Sequence, residues 1–354
     1  MNPYASLPET AFWDKSVASL GGYELDPVGE VPFQLVATDK IATAGSCFAQ
    51  HIARHLTKKG FNYFITEYED KIGAENYGVF PARFGNIYTV RQLLQLFDRA
   101  YGLFVPVDEF WMRTDGAYVD PFRPRIQTKG FASLAELLED RQRHLGSVRK
   151  MFERCDVFIF TLGLTEGWKS SIDGAVFPLA PGVAGGTLDD RYKFHNFLVN
   201  EMVDDFNQFI RKLQSVNPSV KIVLTVSPVP LKATYEKRHV FLSNTYSKAA
   251  LRVAAETLSL ANAFVYYFPS YEIITSNGSA FYESDRRTVT RRGVETVMSI
   301  FDLHLMANEG ISASLEVALP GHLGLDPVCP STRKPTKFEE LSQIICDEEA
   351  LGDL

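Results

Sequence analysis

The sequence offers few groups able to attack a carbonyl or carry its proton, and one of them stands at a junction between predicted elements. Ser46 lies in Gly45-Ser46-Cys47-Phe48-Ala49, after the apolar run of residues 40–44 and before a helical pattern over 47–59. A hydroxyl there sits over a helix N-terminus, whose unpaired N–H groups and positive dipole end would stabilise an oxyanion. The plain alternative is a helix N-cap, the commonest role for serine at such a place, and the two roles are compatible. Cys47 adjoins Ser46, with His51 one turn on, a spacing that suits a Cys–His pair as well as it suits a small packing residue. His51 and His55 with Cys47 have a loose metal-ligand spacing, but the Glu of the metalloprotease pattern is missing between the histidines, and no metal is expected.

Two further apolar runs end in polar text, Gly163-Leu164-Thr165-Glu166-Gly167-Trp168 and Ser227-Pro228-Val229-Pro230. His239 follows the second of these, at the same end of a predicted sheet as Ser46, and ranks first as a base; the bland reading is an exposed loop histidine. His195 ranks second, His304 suits the end of the last helix, and His144 reads as structural. Asp285 stands beside Arg286 and Arg287, where a solvated ion pair is the ordinary outcome. The glycine-containing run 181–186 lacks the Lys-Ser/Thr of a phosphate loop and reads as a flexible surface loop. Trp111 and Trp168 are either a sugar-stacking wall or packing.

The elements that must position these groups follow from periodicity. Strands are predicted at 40–44, 61–66, 156–161, 221–226 and 263–267, and helices at 47–59, 89–101, 133–153, 194–215, 243–261 and 290–305. The near-continuous apolar run 156–161 is that of a parallel strand buried on both faces. Alternating strands and helices imply a three-layer α/β/α sandwich with a mainly parallel central sheet, and ligands beyond the strands' carboxyl ends. Residues 1–34 read as an arm, 35–306 as the main domain with an excursion at 102–130, and 307–354 as an extension ending in an acidic amphipathic stretch, 338–351.

Composition narrows the partners. The 354 residues are 45% hydrophobic, enough for a sizeable core. Lys and Arg number 36 against 43 Asp and Glu, a net charge of −7, with no basic stripe for nucleic acid. No apolar run approaches the ~20 residues of a membrane span, no signal peptide is visible, and the four cysteines form no framework. A cytoplasmic protein is expected.

Residues 45–49 spell the motif that names the GSCFA family of bacterial proteins, and the chain resembles that family over about 40–305. The likeness continues through Gly85-Asn86-Ile87-Tyr88, the segment 161–168, Phe177-Pro178-Leu179, 224–230, Tyr246-Ser247-Lys248 and 267–272. The family looks like a branch of the SGNH hydrolase superfamily, which implies an SGNH/flavodoxin-like sandwich and an ester hydrolase or O-acyltransferase acting on small or glycan-borne acyl groups. Carried over, Ser46 is the nucleophile, and the N–H groups of Ser46 and Gly85 with the Thr165 hydroxyl form the oxyanion hole. Asn86 and Glu166 support them. The superfamily's closing Asp-x-x-His is Asp285-Arg286-Arg287-Thr288 here, without the histidine. His239 is therefore the expected base, oriented by Asp285 or Glu166. No cofactor is expected, though acyl-CoA would be the co-substrate of a transferase. The competing expectations are a non-catalytic ligand- or partner-binding protein and thiol-dependent acyl transfer through Cys47.

Overall fold

Alternation within short apolar runs decides the architecture. The structure, a computed structural model, describes residues 2–20, 25–68, 74–307, 344 and 347–352. In chain order the first elements are β1 (Ile41–Gly45), α1 (Ala49–Lys58), α2 (Val90–Ala100), β2 (Trp111–Met112), β3 (Tyr118–Val119), α3 (Leu134–Arg154) and β4 (Val157–Leu162). Then come β5 (Glu166–Ser170), β6 (Val176–Phe177), β7 (Tyr192–Asn196), α4 (Val199–Val216), β8 (Lys221–Val226), α5 (Val240–Ala261), β9 (Val265–Tyr267), α6 (Ser270–Thr275) and α7 (Arg291–Leu305). A 3-10 turn covers Asp347–Gly352.

The central sheet has the order β1-β4-β8-β9 and every pairing is parallel. In β4, Phe158, Phe160 and Leu162 face a core shared with α2, α3, α4 and α5, while Val157 and Ile159 face a second core with α1, α6 and α7. Side chains two apart share a face of a strand, so one apolar run feeds both cores. The expected three-layer α/β/α sandwich is the fold.

Three expectations need correction. Residues 61–66 form no strand; Tyr63 makes a single parallel bridge to Ile41 at the sheet's edge. The predicted helix 194–215 begins only at Val199, because residues 192–196 belong to β7. A three-stranded antiparallel sheet, β6-β5-β7, was not foreseen at all. Its strands carry Lys169 and Lys193 on a solvated face, so their apolar alternation is too short to register.

The excursion between α2 and α3 is tied down by buried charge. Arg123 binds Asp120 and Asp140 at 2.9 and 2.5 Å, and Arg83 binds Asp140 at 2.9 Å. Burial works against ionising Asp120, but Arg141, Arg123 and Arg99 together hold it far below the usual carboxylate range. In the glycine run, Gly182 N–H donates to Gly185 O, and Gly186 lies so close to the Trp111 indole that a Cβ would stand 2.9 Å from its Cγ. Trp111 is correspondingly buried against Phe177 and Tyr192.

Candidate active site

The chain leaves β1 through a residue that only glycine can be. Gly45 has φ +130°, and a Cβ there would lie 2.2 Å from the Thr161 carbonyl oxygen. This close approach lets the Ser46 N–H donate to Thr161 O at 3.1 Å, continuing the β1–β4 ladder by one bond. That N–H is therefore spent on the sheet and is not part of an oxyanion hole, contrary to the expectation. The Ser46 side chain is 3% exposed, and its Oγ has no hydrogen-bond partner among the described residues. Nor does it cap α1: the helix starts later, after Phe48, with no side-chain cap.

A loop from α2's N-terminal side closes over the same strand ends. Ile87 N–H donates to Gly45 O at 2.8 Å, and the Tyr88 carbonyl accepts from the N–H groups of Gly163 and Leu164 at 3.2 and 3.0 Å. A reciprocal cap fixes the loop. Thr89 Oγ1 accepts from Gln92 N–H at 3.3 Å, while Gln92 Oε1 accepts from the N–H groups of Tyr88 and Thr89 at 3.0 and 2.8 Å. Gly85, with φ +73°, leaves its N–H without a partner among the described residues. Gly163 packs so tightly that an added Cβ would meet Ser46 Cβ at 3.0 Å. Two residues on, Thr165 is fully buried and its Oγ1, like that of Ser46, has no partner among the described residues. Ser46 thus packs on Gly163, two residues before Thr165, and the loop that follows Gly85 bonds to the same strand ends through Ile87 and Tyr88.

Helix α5 fastens this rim of strand ends from the side. Ser247 Oγ accepts from Thr165 N–H at 3.1 Å, and Lys248 Nζ donates to Gly163 O at 2.9 Å. Lys248 is 1% exposed. Burial pushes its ammonium down to about 8; Glu348 and Cys47 pull the other way, and Arg287 adds to the lowering. Sequence reading gave Lys248 no role, because a lysine in an Ala-rich helix is normally solvated.

The segment 347–352 docks on the same residues. Asp347 Oδ2 accepts from Asn86 Nδ2 at 2.9 Å, and Asp347 N–H donates to the Tyr88 hydroxyl at 3.0 Å. Asn86 Oδ1 in turn accepts from Gln50 Nε2 at 3.1 Å, so the expected supporting residue holds this segment. Glu348 binds Arg287 at 2.9 Å; Glu349 binds Lys232 at 3.1 Å and also Arg287. Burial raises the pKa of both Asp347 and Glu348. Ala350 forms part of the wall of a groove of about 410 Å³ between Met112–Thr114, Pro124–Thr128 and Gly182–Gly186. Of the acidic amphipathic stretch expected at 338–351, residues 338–343, 345 and 346 lie outside the described residues.

The other predicted residues are dispersed. His239 is exposed at the N-cap of α5, its Nδ1 accepting from Phe241 N–H at 3.1 Å, and no described imidazole hydrogen-bonds to Ser46. Asp285 is spent within its own turn, accepting from Arg287 N–H, Thr288 N–H and Thr288 Oγ1, so it orients no histidine. Glu166 accepts from Thr234 Oγ1 at 2.7 Å and Tyr235 N–H at 3.3 Å, and burial raises its pKa. His195 pairs with Glu201, His304 with Asp26, and His144 with Glu67. Cys47 is buried; His51 packs on Phe48, and burial with Arg54 holds it to about 4. His55 turns to Asp302 at 2.6 Å, so the two histidines diverge. Trp168 packs on Tyr235 and Phe194.

Fold and rim together define an α/β protein with a buried serine hydroxyl at the carboxyl end of its first strand. Residues 40–301 match the GSCFA family model, and the chain belongs to the GSCFA family. No match was found among curated proteins. Among solved structures, the chain resembles a Streptococcus pneumonia protein provisionally described as a platelet activating factor (15% identity, TM-score 0.26, 48% of this chain) and spans 65% of that protein's length. It also resembles a Clostridium thermocellum family 3 carbohydrate esterase (13% identity, TM-score 0.26, 75% of this chain and 94% of that one). A family 3 carbohydrate esterase from Talaromyces cellulolyticus is similar at 12% identity and TM-score 0.24, over 60% of this chain and 87% of that one. Likenesses this distant assign no residue a role. Among the described residues, no helix is long and apolar enough to cross a membrane.

Proposed function

We propose that this protein hydrolyses or transfers an acyl ester, small or carried on a glycan, through Ser46. The observation that carries the reading is the Ser46 hydroxyl, buried at a strand end against Gly163 and, like the Thr165 hydroxyl two residues further on, without a hydrogen-bond partner among the described residues. A buried hydroxyl left without a partner costs about 1–3 kcal/mol, and such groups in native proteins call for an explanation. Here the explanation is a reacting group. Ser46 Oγ would attack the ester carbonyl, and the new oxyanion would accept from the Gly85 N–H and the Thr165 hydroxyl, one hydrogen bond each. The placing of Gly-Ser after the first strand, with a Gly loop and a Gly-x-Thr turn beside it, also supports an SGNH-like plan. A transferase would need a second partner for the acyl group, with acyl-CoA as one candidate donor.

The test is turnover of p-nitrophenyl acetate and a panel of acylated glycans, with and without acetyl-CoA. Ser46→Ala is expected to lose activity by about 100-fold or more. Equal rates for the two proteins on every substrate would sink the reading. The absence of a described imidazole bonded to Ser46 favours a second reading, a ligand-binding protein without chemistry. It predicts equal binding of the acylated glycan by both proteins and turnover by neither.

A further inference from the structure

Ser46 needs a proton acceptor, since an unassisted serine hydroxyl is a weak nucleophile at neutral pH. None of the described histidines is bonded to it, and the carboxylates of Asp285 and Glu166 are engaged elsewhere. The basic side chain the fold does bring to this rim is Lys248. Its Nζ sits on the carbonyl of Gly163, the residue that packs directly against the Ser46 side chain. It is the one lysine among the largest fully buried side chains, and it reaches the rim from the helix face that also holds Thr165 through Ser247.

We propose that Lys248 is the general base for Ser46, and that the docked 347–352 segment holds the site shut. The proposal rests on the serine reading above.

The groups acting on the ammonium are Glu348 from the docked segment, Cys47 from the β1–α1 turn and Arg287 from the loop before α7. Glu348 opposes deprotonation; Arg287 and burial favour it. Departure of the segment removes the carboxylate that opposes deprotonation, and the flexible stem then swings Nζ from Gly163 O towards Ser46 Oγ. In the reaction, the Ser46 O–H bond breaks and its proton passes to the neutral Nζ. Oγ bonds to the carbonyl carbon, whose π pair moves onto oxygen. When that pair returns, the ester's C–O bond breaks and the alkoxide takes the proton from Nζ. Water or an acceptor alcohol then removes the acyl group by the same steps in reverse roles.

A fluorophosphonate probe tests this without knowledge of the substrate, because Oγ attacks phosphorus and expels fluoride through the same proton transfer. The rate is read by intact-mass spectrometry against pH, and the labelled residue is located by peptide mapping. Wild-type labelling at Ser46 is expected to rise roughly tenfold per pH unit and to level near the lysine's midpoint. Lys248→Met and Lys248→Arg should both label about 100-fold more slowly with no such rise, since arginine keeps the charge and the donor to Gly163 but releases no proton. His239→Ala should match the wild type, and Glu348→Gln should move the midpoint to lower pH. Thermal melts establish that each variant is folded, and the wild-type profile needs no substitution. Full-rate labelling of Ser46 in Lys248→Met or Lys248→Arg, or a wild-type rise that His239→Ala abolishes, would overturn the lysine alone. No label on Ser46 in any variant at any pH would overturn the serine reading with it.

Discussion

At the scale of single residues, Gly45 decides whether the rim exists. A side chain there meets the Thr161 carbonyl at 2.2 Å, a distance no local adjustment absorbs, because the atom it meets belongs to the ladder. Gly45→Ala is expected to cost on the order of 3 kcal/mol in urea unfolding, through strain and a displaced strand end. Gly60→Ala is the control: φ is also positive, at +78°, but nothing lies within 4 Å. Its cost should be only about 1 kcal/mol. A smaller loss for Gly45→Ala than for Gly60→Ala would contradict the steric account. Ser46 stood out at this scale as a serine between an apolar run and a helical pattern, whereas Gly85 and Thr165 were singled out only through the family resemblance. Lys248 was assigned no role. Burial of a lysine mid-helix depends on which way α5 faces, and periodicity in an Ala-rich run does not show that.

At the scale of elements, the cap of α2 does double service. Gln92 Oε1 receives both the Tyr88 and Thr89 N–H groups, and the Tyr88 carbonyl receives Gly163 and Leu164. One helix start therefore sets the loop that carries Gly85. Thr89→Ala is expected to lower stability by about 1 kcal/mol, the usual cost of a lost cap. It should also slow Ser46 labelling more than that loss implies, whereas Thr89→Ser should restore both. Unchanged labelling in Thr89→Ala would show that the loop is held some other way. The parallel strands β1, β4 and β8 were readable from their apolar runs alone. The antiparallel β5–β7 was not, because its strands are half solvated. The bases assigned from sequence failed for a related reason. His239 lies at the correct end of the sheet, yet the Phe241 N–H at the start of α5 claims its Nδ1.

For the whole molecule, the buried lysine links stability to alkaline pH. The folded protein holds the Lys248 proton only to about 8, against an ordinary 10.5. Between those values the unfolded chain carries a proton that the folded chain lacks, so raising pH favours folding. Relative to Lys248→Met, the wild type should gain stability from pH 8 to 10.5, up to roughly 3 kcal/mol. A difference that stays flat across that window would mean the ammonium is not desolvated as the fold implies. The docked acidic segment was the feature least open to sequence reasoning, since three consecutive carboxylates ordinarily face water. Its position also has a meaning for biosynthesis. Residues 347–352 leave the ribosome after everything they touch, from Asn86 to Arg287. A nascent chain stalled short of residue 352 would therefore carry the Ser46 rim without the segment that docks on it.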